Sequence, residues 1–138
     1  PVKNVALLDA ALERVRARDV EVEVSYLDGI ARDRVPTLMN AADVMVMTSV
    51  AEGSPNAVKE ACACNLPVVS VDVGDVGDHL RGAVNCHVVE RDPGEIATRI
   101  LRVLESGARS DARRNVTPLA RPVLARRLAG LYREVARR

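Results

Sequence analysis

The chain has 138 residues, of which 48% are hydrophobic and 28% charged, with a net charge of +1; this excludes a disordered chain and fits one globular domain. No window approaches the ~20 consecutive apolar residues of a membrane-spanning helix, nothing reads as a signal peptide, and the first residue is Pro1 rather than Met, as in a processed or excised chain. The balance hides an asymmetry, because residues 1–98 hold 9 basic and 16 acidic side chains, net −7, and residues 99–138 hold 11 and 3, net +8.

Tyr26 and Tyr132 are the only aromatics. A single-strand nucleic-acid surface stacks bases on aromatics, so nucleic acid is set aside as a partner. Cys62, Cys64 and Cys86 form no disulfide framework and read as small buried hydrophobes in a reducing cytosol. The bias toward arginine, alanine and valine fits a GC-rich bacterial genome.

In chain order, Asn4 stands as an N-cap, and Val5, Leu8, Leu12 and Val15 follow at helical spacing. Residues 20–27 alternate apolar and polar, which predicts a strand ending at the turn pair Asp28-Gly29. A short helix over residues 36–42 turns Leu38 and Met39 inward. Val44-Met45-Val46-Met47 is a continuous apolar run, the form of a strand in a parallel sheet covered on both faces. Ser54-Pro55 predicts a helix start, with serine as N-cap and proline at the first helical position. That helix runs to about Cys64, and Asn65 takes the left-handed position that closes it. Residues 66–71 form another buried strand. The loop over residues 73–78, punctuated by Gly74 and Gly77, leads to a short helix near His79, and Val88-Val89 is a last strand after a turn at Asn85. Asp92-Pro93 opens a helix with Ile96, Ile100, Val103 and Leu104 on one face and Gly107 at its end. The final helix starts near Pro122, with Leu124, Leu128, Leu131 and Val135 as its buried stripe. This alternation predicts one α/β domain with a mostly parallel sheet, opening on a helix where a strand should come first.

Ligands of open α/β sheets sit beyond the carboxyl ends of the strands, at helix N-termini. The stretch from Thr48 to Glu60 collects the right groups. Gly53 lets backbone approach a ligand, and the helical N–H groups from Asn56 onward favour a phosphate. Glu52 before the helix and Glu60 in its second turn can accept from ligand hydroxyls, which suggests a sugar nucleotide. A bland reading stands beside this one, with Glu60 a solvated helix residue and Glu52 a favourable charge near a helix start. No G-x-G-x-x-G, P-loop or metal-ligand spacing is present; His79 and His87, eight apart, read as surface residues or as supports for a neighbour.

The block Val35-Pro36-Thr37-Leu38-Met39-Asn40-Ala41-Ala42-Asp43 precedes Glu52-Gly53-Ser54-Pro55-Asn56-Ala57-Val58-Lys59-Glu60-Ala61. Together they resemble the C-terminal half of retaining glycosyltransferases of GT-B architecture and, more narrowly, glycosyltransferase family four. Asn65-Leu66-Pro67-Val68-Val69-Ser70, Asp72-Val73-Gly74-Asp75-Val76 and Pro1-Val2-Lys3-Asn4 are similar too, and the likeness covers nearly the whole chain, weakening after about Gly107.

The resemblance implies a Rossmann-like three-layer α/β domain over residues 1–138, lacking its first strand and the N-terminal acceptor-binding domain. It places Lys3 at the donor diphosphate and Glu52 at the donor sugar. Gly53, Ser54, Pro55, Asn56 and Ala57 would form the turn and helix start whose amides hold sugar hydroxyls and the distal phosphate. Glu60 would bind the ribose hydroxyls. Asn65 departs from the family's usual glycine, a swap the left-handed position tolerates. The region between the first helix and Val35 is a compact version of a strand–helix unit that contributes to nucleobase contacts, so the base stays open.

The expected function is donor binding in a retaining glycosyltransferase that moves a sugar from a nucleoside diphosphate sugar to an acceptor hydroxyl, with no metal and no cofactor. Glu52 positions the sugar and is not assigned as a nucleophile. The chain alone is expected to bind a donor weakly and to transfer nothing. Two rivals stand. A sugar-nucleotide epimerase would use a similar half-domain. A non-catalytic module would lay the basic helix bearing Arg121, Arg126, Arg127, Arg133, Arg137 and Arg138 on an anionic membrane at its cytoplasmic face. Against the latter, the leucine stripe is expected to pack on the domain while the arginines face water. The unfilled sheet position offers a surface for a dimer.

Overall fold

Three short parallel strands form the sheet of this computed structural model, which describes residues 2–137; Pro1 and Arg138 lie outside the described residues. They are β1 (Met45–Met47), β2 (Val68–Val71) and β3 (His87–Val89), in the order β1-β2-β3. Met45 pairs with Val68 and Met47 with Ser70, while Val69 pairs with His87 and Val71 with Val89. All four β2 residues are buried, as expected of a central strand covered on both faces.

The helices are α1 (Val5–Arg16), α2 (Val35–Ala41), α3 (Asn56–Ala63), α4 (Val76–Leu80), α5 (Pro93–Ser106), α6 (Arg113–Val116) and α7 (Arg121–Val135), with a 3-10 turn at Thr117–Leu119 before the last. They pack in two groups. In one, α1 lies on α5, which covers β2 and β3; in the other, α3 lies on β2 and meets α2, α4 and α6. The sheet is therefore the middle layer of a Rossmann-like α/β domain, with Val58, Val68, Val69, Val71 and Val76 fully buried between the layers. Among the described residues no helix is long and apolar enough to cross a membrane.

Local signals set several boundaries. The Asp92 carboxylate accepts from the Glu95 N–H at 2.7 Å, Pro93 starts α5, and Gly107 ends it at φ 58°. Asn65 closes α3 at φ 52°, and its side-chain oxygen also accepts from the Arg113 N–H at 3.0 Å. Arg109 ties α2 to α3 by donating to the carbonyls of Met39, Ala42 and Cys64. Cys62 is buried, and burial together with the nearby Cys86 pushes its thiol up to about 12; Cys64 and Cys86 are half-buried, and all three are free.

Three expectations need correction. Residues 20–27 form no regular element: Val20, Val22 and Val24 are half-buried and Glu21 and Glu23 exposed, but among the described residues no strand pairs with them. Alternation shapes one face, whereas a strand also needs a neighbour for its N–H and C=O groups; β1 is bonded only to β2 within the described sheet. The stripe of α7 is not buried: Leu124, Leu128, Leu131 and Val135 are 43%, 52%, 59% and 70% exposed. The helix has its main contact with the 3-10 turn that precedes it, and its leucines and Val135 lie open to solvent. Finally, α3 begins at Asn56 with extended Pro55 at its N-cap, and Ser54 does not cap it.

Candidate functional site

The loop after β1 is held from two sides. The Thr48 hydroxyl donates to the carbonyls of Lys3 and Asn4 at 3.0 and 3.2 Å, and the Val50 N–H donates to the Val2 carbonyl at 2.7 Å. From the other side, the Arg91 guanidinium donates to the carbonyls of Ser49 and Val50 at 2.8 and 3.0 Å. This bracing brings two residues 49 apart in sequence together, and Lys3 Nζ donates to Glu52 Oε1 at 2.6 Å. Lys3 is largely in solvent, while the Glu52 side chain is only 19% exposed. The Lys3 bond, aided by the Ser49 hydroxyl, holds the Glu52 carboxyl below its ordinary range against the opposing effect of burial.

Past Glu52 the chain turns at Gly53 into α3. A Cβ at Gly53 would meet nothing within 4 Å, so open space lies before the turn. No side chain caps α3, and the N–H groups of Asn56, Ala57 and Val58 have no acceptor among the described residues. Four orphan donors are normal at a helix start, and with the helix dipole they form an anion-binding end. Glu60 is half-buried, and its carboxylate makes no hydrogen bond or ion pair among the described residues.

Ser54 is engaged elsewhere. Its hydroxyl donates to Asp75 Oδ2 at 2.6 Å and accepts from Lys59 Nζ at 3.0 Å. The Asp75 N–H donates to the Gly53 carbonyl at 3.2 Å. Beside it Gly74, at φ 58°, packs so tightly on the Gly53 and Glu52 carbonyl oxygens that no Cβ fits there. His79 is buried rather than on the surface, with Nε2 3.2 Å from Asp75 Oδ2 but not aligned for a hydrogen bond. Burial opposes the charge on Asp75; the Ser54 hydroxyl, His79, the backbone N–H and Lys59 outweigh it and keep the carboxyl below its ordinary range.

The structure thus brings Lys3, from before α1, against Glu52; Gly53, Ser54 and Pro55 follow on the loop, Asn56 and Ala57 open α3, and Glu60 lies within that helix. Sequence reasoning did not single out Arg91 or the Asp75 carboxylate, because neither belongs to a local pattern; their partners are 42 and 21 residues away. Two hollows lie apart from this place. One of about 780 Å³ runs along Arg16 and residues 19–23, and one of about 300 Å³ lies between Asp43 and Arg109. The first is a wide cleft beside the irregular segment after α1 and gathers none of the convergent donors that α3 presents.

Residues 3–106 match the family described as Glycosyl transferases group 1. Among curated proteins the chain is similar to the D-inositol 3-phosphate glycosyltransferases of Rhodococcus erythropolis (strain PR4 / NBRC 100887) and Rhodococcus opacus (strain B4), each 30% identical over 78 residues. The match covers 56% of this chain and 18% of the length of each relative.

Proposed function

The chain belongs to the group 1 glycosyl transferases, and on that premise we propose that it binds the nucleotide-sugar donor of a retaining, metal-independent enzyme. The observation that carries this reading is the uncapped start of α3, with free amides at Asn56 and Ala57, open space at Gly53, and a carboxylate on either side at Glu52 and Glu60. A diphosphate fits those amides. Glu60, whose carboxylate makes no bond among the described residues, takes the ribose hydroxyls, and Glu52 orients the sugar.

Lys3 then serves the leaving diphosphate. Charge that develops on the departing phosphate as the sugar–oxygen bond breaks is met by the ammonium group and the helix end, which is preorganised electrostatic stabilisation. Since Lys3 is paired with Glu52, an arriving diphosphate exchanges one anionic partner of the lysine for another and releases Glu52 toward the sugar. Gly53, Ser54 and Pro55 shape the turn. The acceptor hydroxyl arrives from a separate domain of the intact enzyme, and the chain alone transfers nothing.

The test is an NMR titration of the labelled chain with UDP, GDP and ADP in parallel. Shifts centred on residues 53–60 for one nucleotide, lost in Glu60→Ala, support the reading and identify the base. Silence toward all three at millimolar concentration, repeated in the intact enzyme, overturns it.

A further inference from the structure

Ser54-Pro55 is a strong local signal for a helix that starts with serine at the N-cap and proline at the first helical position. The structure rejects it: Pro55 is the N-cap, in extended conformation at φ −67° and ψ 117°, and α3 begins one residue later. The cause is across the loop. The Ser54 hydroxyl, which as a cap would accept from the α3 amides, is held at Asp75 Oδ2 by the 2.6 Å bond it donates, and Lys59 Nζ, reaching back from within α3, donates to its oxygen at 3.0 Å. The Asp75 N–H holds the Gly53 carbonyl as well, so both residues of the turn are fixed from one point.

We propose that Asp75 is a positioning residue that withholds Ser54 from capping α3 and so keeps the helix amides open to an anion. This rests on the donor-site reading above. A serine at the N-cap accepts from the second or third helical N–H; with Pro55 first, those are Asn56 and Ala57, the amides assigned to the diphosphate. Capping and diphosphate binding therefore compete for the same donors, and Asp75 decides the competition. Lys59 offsets the negative charge this device places near an anion site.

The arrangement makes an unusual prediction about a double variant. In the full chain, Asp75→Ala frees Ser54 to cap, so amide hydrogen exchange at Asn56 or Ala57 slows and affinity for the nucleoside diphosphate that binds (UDP, GDP or ADP) falls about tenfold. Removing a negative charge near an anion would by itself tighten binding, so the sign already separates the two effects. In Ser54→Ala/Asp75→Ala no hydroxyl remains to compete, and both exchange and affinity return toward the wild-type values. Asp75→Asn, which keeps an acceptor oxygen for Ser54 but loses the charge, falls between wild type and Asp75→Ala in both exchange and affinity. If the alanine variant does not fold, Asp75→Ser replaces it with a side chain too short to hold Ser54. Unchanged exchange in Asp75→Ala, or a double variant no better than the single one, overturns the proposal. If the exchange pattern follows expectation but the wild-type chain and the intact enzyme bind none of the three nucleotides, the control of Ser54 stands and the donor-site reading falls.

Discussion

Lys3 Nζ lies 2.6 Å from Glu52 Oε1, so the cation and the carboxylate proposed to serve one donor neutralise each other. Freeing the lysine should therefore help a diphosphate and harm a sugar. Glu52→Gln is expected to hold or raise nucleoside diphosphate affinity while lowering affinity for the matching nucleotide sugar. Lys3→Ala should weaken both by about tenfold, the scale of one charge-assisted hydrogen bond. Calorimetric titration of both ligands checks this, and a diphosphate affinity that drops in Glu52→Gln contradicts the exchange of partners.

Two glycines a short distance apart should respond in opposite ways. Gly74 has φ 58° and sits against the carbonyl oxygens of Gly53 and Glu52, whereas a Cβ at Gly53 meets open space. Gly74→Ala carries about 1–2 kcal/mol of left-handed strain and must also displace backbone, so its unfolding midpoint in urea falls clearly. Gly53→Ala should leave stability within about 0.5 kcal/mol but place a methyl group in the proposed ligand space and weaken nucleotide binding. Equal stability losses at the two positions would refute the geometry.

Burial predicts a sharp contrast between two leucine-sized side chains. Ile100 on α5 is 1% exposed and Leu128 on α7 is 52% exposed. Ile100→Ala should cost about 2–5 kcal/mol and Leu128→Ala less than about 0.5 kcal/mol in chemical denaturation of this chain. A large loss from Leu128→Ala would mean that α7 packs its leucines onto the core after all.

His87 gives stability a dependence on pH. Burial, with Arg99 and Arg102 nearby, lowers its pKa in the folded chain. A depressed folded value means that the unfolded chain takes up the proton first. The stabilising contribution is therefore complete above the ordinary histidine value of about 6.5 and is lost as pH falls through the folded one. Melting temperature should decline on acidification below about pH 6.5, with a shallower slope in His87→Gln. Identical slopes would remove His87 as the source.

Much of the domain was legible from the chain alone, wherever the determining groups are close in sequence. Asp92, Pro93 and Gly107 bound α5 because a cap bond, a fixed φ and a left-handed closure each act within a few residues. The valine-rich β2, broken only by a buried Ser70, is covered on both faces, and Asn65 could close α3 by itself. The two glutamates eight apart around the start of α3 stood out only within the wording of their neighbours, since such a pair alone is not specific.

What tertiary structure decided involves partners that no window contains. Residues 20–27 have the alternation of a strand, but hydrogen bonding to a neighbour makes a strand, and the sheet offers them none. The stripe of α7 is amphipathic by sequence, yet burial depends on what lies opposite, and here its leucines face outward. Ser54 is the clearest case. Its local pattern specifies an N-cap, but a carboxylate 21 residues away takes its hydroxyl proton and holds the oxygen out of reach of the helix amides. A charge-assisted bond thus overrides a capping preference, and the helix start it leaves uncapped is where the chemistry of this domain is assigned.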